Sequence, residues 1–308
     1  MSKPTLAISV GDLNGVGMEI ALKSHKEISK LCNPIYCINN NMLKQVTTLL
    51  NTKIPKNIQI SNVNGNFKIK PSKISKKSGL YSYKSFLKGI ELCEDKKADA
   101  VITMPIHKEA WMKCGIKYKG HTDLLRDYFQ QDAIMMLGCQ KMYVALFSEH
   151  IPLKQVVSTI KKQNLETFLY DFYKSIGYKK VAVLGLNPHA GDNGVLGDEE
   201  KIINKAIKNI NKKIGKDMFI GTIVPDIAFT PSFRKNFNYF IAMYHDQGLA
   251  PLKALHFDES VNISLNLPII RTSVDHGTAF DIAYKNKANT LSYINAVKSA
   301  ISLINHRF

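Results

Sequence analysis

Short apolar runs alternate with helix-spaced runs along most of this chain, and no other feature constrains the fold as much. Thr5–Val10, Ala98–Thr103, Met142–Phe147, Val181–Leu186 and Tyr239–Tyr244 are each short enough for one strand. Between them, Phe86, Leu87, Ile90 and Cys93 give Tyr83–Lys97 a helical period, and Asn164–Ile176 reads as a helix. Gly197-Asp198-Glu199-Glu200 opens another, with Ile202, Ile203, Ala206, Ile207 and Ile210 on one face. A last helix starts near Thr290, with Leu291, Ile294, Val297, Ile301 and Ile304 as its stripe. Strands alternating with helices predict an α/β fold, a largely parallel sheet joined by crossover helices. No repeat of solenoid period is present.

Three of these runs are each followed, within a few residues, by a histidine: His150, His189 and His245. In open parallel sheets the loops beyond the strand carboxyl ends form the ligand crevice. Three neutral imidazoles converging there would leave coordination positions open on a divalent metal, as a catalytic site requires. A lone loop histidine, by contrast, is usually a surface or hydrogen-bonding residue. These three stand beside Glu149, Asn187 and Asp246, and both readings remain open on pattern alone.

The stretch Ile241–Asp281 is the densest in chemistry. Its apolar start ends at His245-Asp246, and Gln247-Gly248 is a turn signal. Lys253, Asn262 and Arg271 follow, with Val261–Leu267 alternating like a strand, and then Asp275-His276-Gly277-Thr278. Lys and Arg suit a phosphate or carboxylate, Arg through its planar fork. Upstream, Thr122 is a candidate helix N-cap, which places His121 at a positive helix end where anions bind. Gly11-Asp12-Leu13-Asn14-Gly15-Val16-Gly17 turns a strand into a helix near Met18-Glu19. Its order is not that of the dinucleotide fingerprint, and an anion-binding turn and a plain tight turn fit it equally.

With 308 residues the chain suits one large domain or two smaller ones. The net charge of +17 comes mostly from lysines scattered in doublets such as Lys76-Lys77 and Lys212-Lys213. There is no arginine-rich arm and no aromatic ladder at RNA-reading spacing. A solvated basic surface that draws in an anionic small molecule is expected, not nucleic-acid binding. No apolar run approaches the ~20 residues of a membrane span. MSKPTLAISVGD carries no signal pattern, so a soluble cytoplasmic protein with no membrane partner is expected. The five cysteines form no CxxC, which suggests reduced thiols and no cysteine metal site.

Long motifs go further. ISVGDLNGVGMEIAL, ADAVITMPIHKEA, YKGHTDLL, VALFSEHIPL, LGLNPHAGDNGVLGDEE and AMYHDQGLAPLK through IIRTSVDHGTAFDIA span nearly the whole chain. In these the sequence resembles the 4-hydroxythreonine-4-phosphate dehydrogenase family of pyridoxine biosynthesis. The resemblance implies metal ligands at His150, His189 and His245, and substrate contacts at His121, Thr122, Lys253, Asn262 and Arg271. It implies a homodimer with shared active sites, NAD or NADP, and one divalent ion per subunit (zinc, magnesium or cobalt). The implied reaction oxidises 4-phosphooxy-L-threonine to a β-keto acid that decarboxylates to 3-amino-2-oxopropyl phosphate. A paralogous dehydrogenase of threonate or erythronate phosphate is the alternative. The implied fold is two-domain and resembles isocitrate and isopropylmalate dehydrogenases, with the active site in the interdomain cleft. Residues 1–120 plus 265–308 would form the dinucleotide side, and 121–264 the metal and dimerisation side. His276–Asn289 follows the adenine-side loop of that class, which puts Gly277, Thr278, Asp281 and Asn289 at the cofactor. Asp246 would orient a histidine or act as base.

Overall fold

Each expected strand is present, one or two residues shorter than its apolar run. The computed structural model describes residues 3–306. In chain order the elements are β1 (Thr5–Ser9), α1 (Gly17–Ile28), β2 (Asn33–Cys37), α2 (Asn40–Leu49), β3 (Gln59–Ser61), α3 (Lys76–Glu94), β4 (Ala100–Thr103), α4 (Lys108–Lys113), α5 (His121–Phe129), β5 (Ile134–Cys139) and β6 (Met142–Leu146). There follow α6 (Leu153–Thr159), α7 (Lys162–Ile176), β7 (Val181–Leu184), α8 (Glu199–Ile214), β8 (Phe219–Ile223), α9 (Pro225–Ala228), α10 (Pro231–Arg234), β9 (Tyr239–Ala242), α11 (His245–His256), β10 (Val261–Leu265), β11 (Ile270–Val274) and α12 (Leu291–His306).

The chain divides into two compact units. The first runs up to Gln131 and resumes from Leu267 to Asn305, and the second is Asp132–Asn266. In the first the strand order is β3-β2-β1-β4-β11, all parallel. Leu6, Ile8, Tyr36, Phe86, Ile102 and Tyr293 fill its core. α3 starts seven residues ahead of the helical period seen in the sequence, because Ser75 caps it and accepts from Ser78 N at 3.0 Å.

The second unit has the order β10-β5-β6-β9-β7-β8. β5 pairs antiparallel with both β10 and β6, while β6, β9, β7 and β8 run parallel. Its core gathers Leu137, Val144, Leu146, Leu184, Phe240 and Leu252. The sheets are thus largely parallel, with β5, antiparallel to both β10 and β6 and joined to β6 by a hairpin, as the departure. That hairpin closes over Gln140 and Lys141, too short a link for a parallel crossover.

Three expectations change here. Gln247-Gly248 is not a turn but lies inside α11. Ile202 and Leu291 belong to their helices yet are exposed, outside the buried stripes.

Candidate active site

The order β6-β9-β7 explains why two of the three histidines meet. β6 and β9 are parallel neighbours with Leu146 opposite Ala242. Their pairing continues past the strands, with Phe147 N donating to Ala242 O at 2.9 Å. Both chains therefore leave the sheet at the same level, and the His150 and His245 rings lie 5.6 Å apart at 43°. His245 Nδ1 is 2.7 Å from Asp246 Oδ1, and His150 Nδ1 is 3.3 Å from Glu149 Oε2. The Asp246 carboxylate at His245 Nδ1 selects the tautomer that leaves Nε2 as a lone-pair donor.

His189 leaves from β7, the next strand over. It opens an unusual left-handed turn: His189, Ala190, Gly191, Asp192 and Asn193 have φ of 51°, 52°, 80°, 42° and 55°. Each non-glycine residue there costs ~1–2 kcal/mol relative to a right-handed conformation. The buried Glu200 carboxylate holds the turn's entrance, accepting from Leu186 N at 2.8 Å, Asn187 N at 2.7 Å and Asn187 Nδ2 at 3.0 Å. The three histidines do not all bring a nitrogen within 4.8 Å of one another, so the structure assembles the His150–His245 pair and not the full triad.

Gln247 ties this end of the sheet together. Its Oε1 accepts from Met243 N and its Nε2 donates to Gly185 O, both at 2.7 Å. Sequence reasoning missed it, because its partner carbonyl is distant in the chain. Lys253 and Asn262 belong to the same unit. Lys253 lies on α11 with its ammonium 5.2 Å from the Phe257 ring, and half-buried Asn262 sits on β10 opposite Leu137.

Arg271 and His121 form the core of the other constellation, in the first unit. Arg271 is 3% exposed on β11. Its Nε and Nη2 donate to Thr103 Oγ1, at 3.1 and 2.8 Å. Ser273 pairs with Thr103 across β11 and β4, so Arg271, two residues earlier, points to the same face as Thr103. His121 is caged edge-on by Phe86, at 4.6 Å between centroids, and Trp111, at 5.7 Å. Its Nε2 is buried without a hydrogen-bond partner. Burial, and then the nearby Arg271 charge, hold its pKa well below 6.5. A neutral imidazole able to donate from Nε2, near a fixed guanidinium, suits an anion's oxygens.

This burial has a measurable consequence. Unfolded His121 takes a proton near its ordinary 6.5, whereas the folded imidazole refuses it until far lower pH. Stability contributed by the neutral ring is therefore fully present above about 6.5 and is lost as pH falls from there toward the folded value, by up to ~1.4 kcal/mol per pH unit. Urea melts at about pH 7 and about pH 5 should show a drop that is smaller in His121→Gln. An equal drop in both proteins would count against a neutral, buried His121.

The chain matches the family model "Pyridoxal phosphate biosynthetic protein PdxA" over residues 30–300. The chain belongs to this family. A PdxA relative from Sulfurimonas denitrificans, named 4-hydroxythreonine-4-phosphate dehydrogenase, is 71% identical over 303 residues, 98% of this chain and 99% of the relative. One of the same name from Campylobacter fetus is 55% identical, over 99% and 100%. The solved 4-hydroxythreonine-4-phosphate dehydrogenase from Klebsiella pneumoniae superposes with a TM-score of 0.82 at 32% identity, over 98% of this chain and 100% of that one. The PdxA fold is thus an α/β fold with a mostly parallel sheet and flanking helices.

One local expectation gives way. The N-cap of α5 is Gly120 rather than Thr122, and His121 is the first helical residue and buried. In the Gly11–Gly17 loop, several amides are engaged inside the protein, which fits a tight turn. Asp12 N donates to Pro105 O, Gly15 N to Asp12 O and Val16 N to Thr278 O. Gly11 has φ of +66° and a Cβ there would meet Pro105 O at 2.3 Å, while one on Gly15 would meet Thr278 O at 2.7 Å. Thr278 is buried and Gly277 and Asp281 are exposed, and Asn289 uses its side chain to accept from Leu291 N at 2.9 Å, capping α12. Among the described residues, no helix is long and apolar enough to cross a membrane.

Proposed function

We propose that the chain is an NAD(P)- and divalent-metal-dependent dehydrogenase acting on 4-phosphooxy-L-threonine, in the cytoplasmic synthesis of pyridoxal phosphate. A bound nicotinamide would supply the oxidising power, taking a hydride from the carbinol carbon as the hydroxyl gives up its proton and leaving a β-keto acid. The carboxylate then leaves as CO2 and its bonding electrons stay on the α-carbon, which is reprotonated to yield 3-amino-2-oxopropyl phosphate. The single observation that carries this reading is the His150–His245 pair beyond two adjacent strand ends, each with Nδ1 turned to a carboxylate. The family names of the relatives supply the substrate class.

His150 and His245 fit a divalent ion through Nε2, with His189, of this or a second copy, as the third ligand. Strain concentrated at the His189 turn supports that role, because strained backbone persists where surrounding structure imposes it, often at functional sites. When bound, the ion supplies Lewis-acid polarisation of the substrate's oxygens. The contact of Asp246 with His245 Nδ1 suits an orienting role. Arg271 and His121, with Thr122, Lys253 and Asn262, bind the phosphate and carboxylate. Gly277, Thr278, Asp281 and Asn289 line the dinucleotide. Nothing lies within 4 Å of where a Cβ on Gly277 would be, so a cofactor could approach its backbone. A homodimer would cover the large apolar side chains exposed at Leu153, Val157, Leu255 and Phe257.

The test is NAD(P) reduction by the purified protein with 4-phosphooxy-L-threonine, with and without chelator. Turnover that chelator abolishes and metal restores is expected. Preferential turnover of threonate or erythronate phosphate, or none on any of these substrates, would overturn the assignment.

A further inference from the structure

The cysteine spacing suggested no metal site, yet the fold gathers one set of donors that no chain pattern shows. Cys139, at the end of β5, and His256, the last residue of α11, meet Glu259 just beyond that helix. One ligand atom from each, Cys139 Sγ, a His256 ring nitrogen and a Glu259 carboxylate oxygen, all lie within 4.8 Å of one another. Among the described residues this is the one such group.

The second observation is His256 itself. It is 9% exposed, and neither ring nitrogen has a hydrogen-bond partner. The carboxylate at its Nδ1 stands 3.7 Å away, beyond hydrogen-bonding range. Burying an imidazole in this way forfeits the water bonds of two polar atoms, and each is costly to leave unsatisfied. An ion at the cluster would engage one of them.

We propose that Cys139, His256 and Glu259 form a second divalent-metal site, suited to Zn2+, with a fourth position for water. Thiolate, imidazole and carboxylate are the donors zinc takes. Zinc–ligand bonds of about 2.0–2.3 Å put ligand atoms about 3.5 Å apart in a tetrahedron, so closing the site takes side-chain movements of about an ångström. Binding releases the Cys139 thiol proton to solvent and leaves a zinc–thiolate bond. Burial pushes that thiol's pKa up, so affinity rises with pH. The Glu259 Oε1 also pairs with Lys141 Nζ at 2.9 Å, and the exposed lysine can swing away. The site's position suggests its use. α11 begins at His245 and ends at His256, so an ion here pins the far end of the helix that carries a proposed active-site ligand.

Cobalt distinguishes this site from the three histidines, because only this one holds a sulfur. Metal-stripped protein titrated with Co2+ should develop a near-ultraviolet thiolate-to-cobalt charge-transfer band. The band should vanish in Cys139→Ser and persist in His189→Ala, which lacks a ligand of the other site. Glu259→Gln, at a half-buried position that leaves the core intact, should weaken the cobalt titration by roughly 10–100-fold or more, since loss of even an outer partner costs that much. Circular dichroism checks that each variant folds. No band in the wild type, a band that survives Cys139→Ser, or an unchanged titration in Glu259→Gln would overturn the proposal.

Discussion

Arg271→Met should lower kcat/KM for 4-phosphooxy-L-threonine by about 30-fold to a few thousandfold. That is the equivalent of ~2–5 kcal/mol for removing one partner of a buried charge contact. The guanidinium is almost fully buried and pinned by two donations to Thr103 Oγ1. Burial draws its pKa down to about 9, which still leaves it protonated at neutral pH. Its charge is therefore poorly hydrated and already oriented, and a phosphate or carboxylate binding there loses little to reorganisation. Methionine fills most of the same volume without the charge. Fold stability should fall by only about 1–3 kcal/mol, because methionine keeps the volume filled while Thr103 Oγ1 loses its donor. Arg271→Lys keeps the charge but not the planar fork, and should recover only part of the loss. Steady-state kinetics and a thermal melt decide the matter. Wild-type kcat/KM in Arg271→Met would remove this residue from the substrate site.

His245→Ala is expected to cost on the order of a thousandfold in kcat, because a Lewis acid contributes several kcal/mol to stabilising charge in the transition state. His245 is half-buried at the first position of α11, so its removal opens no core cavity. The Asp246 contact at 2.7 Å would be lost with it, but Asp246 is largely exposed and can turn to water. His189→Ala should behave alike in kcat. Metal content by mass spectrometry, read beside turnover, separates loss of the ion from loss of fold. Either variant retaining near-normal turnover and metal content would refute a shared-metal role.

Elements whose cause is local were legible in the chain. β1, β4, β6, β7 and β9 follow from apolar runs, and α7, α8 and α12 from helical spacing. β5 was missed. IMMLGC is apolar enough for a strand, but it alternates with nothing and lies beside a hairpin rather than a crossover. α11 was missed because Gln247-Gly248 and Pro251 look like breakers. Gly248 is tolerated because it packs against Val144 and Ala242, where a Cβ would fall 2.4 and 2.9 Å from their side chains.

The sequence by itself determined the fold class, the family and the chemical inventory: three histidines after three strands, and a lysine, an asparagine and an arginine downstream. These follow from residue type and short-range spacing, which the chain carries openly. Tertiary structure alone decided which groups meet and in what state. The parallel register of β6 and β9 brought His150 to His245. The cage of Phe86 and Trp111 made His121 a buried, neutral imidazole. The β5–β6 hairpin and the end of α11 brought Cys139 to His256. Such outcomes depend on strand register and on burial, which change a side chain's partners and its pKa, and neither is written in the spacing of residues along the chain.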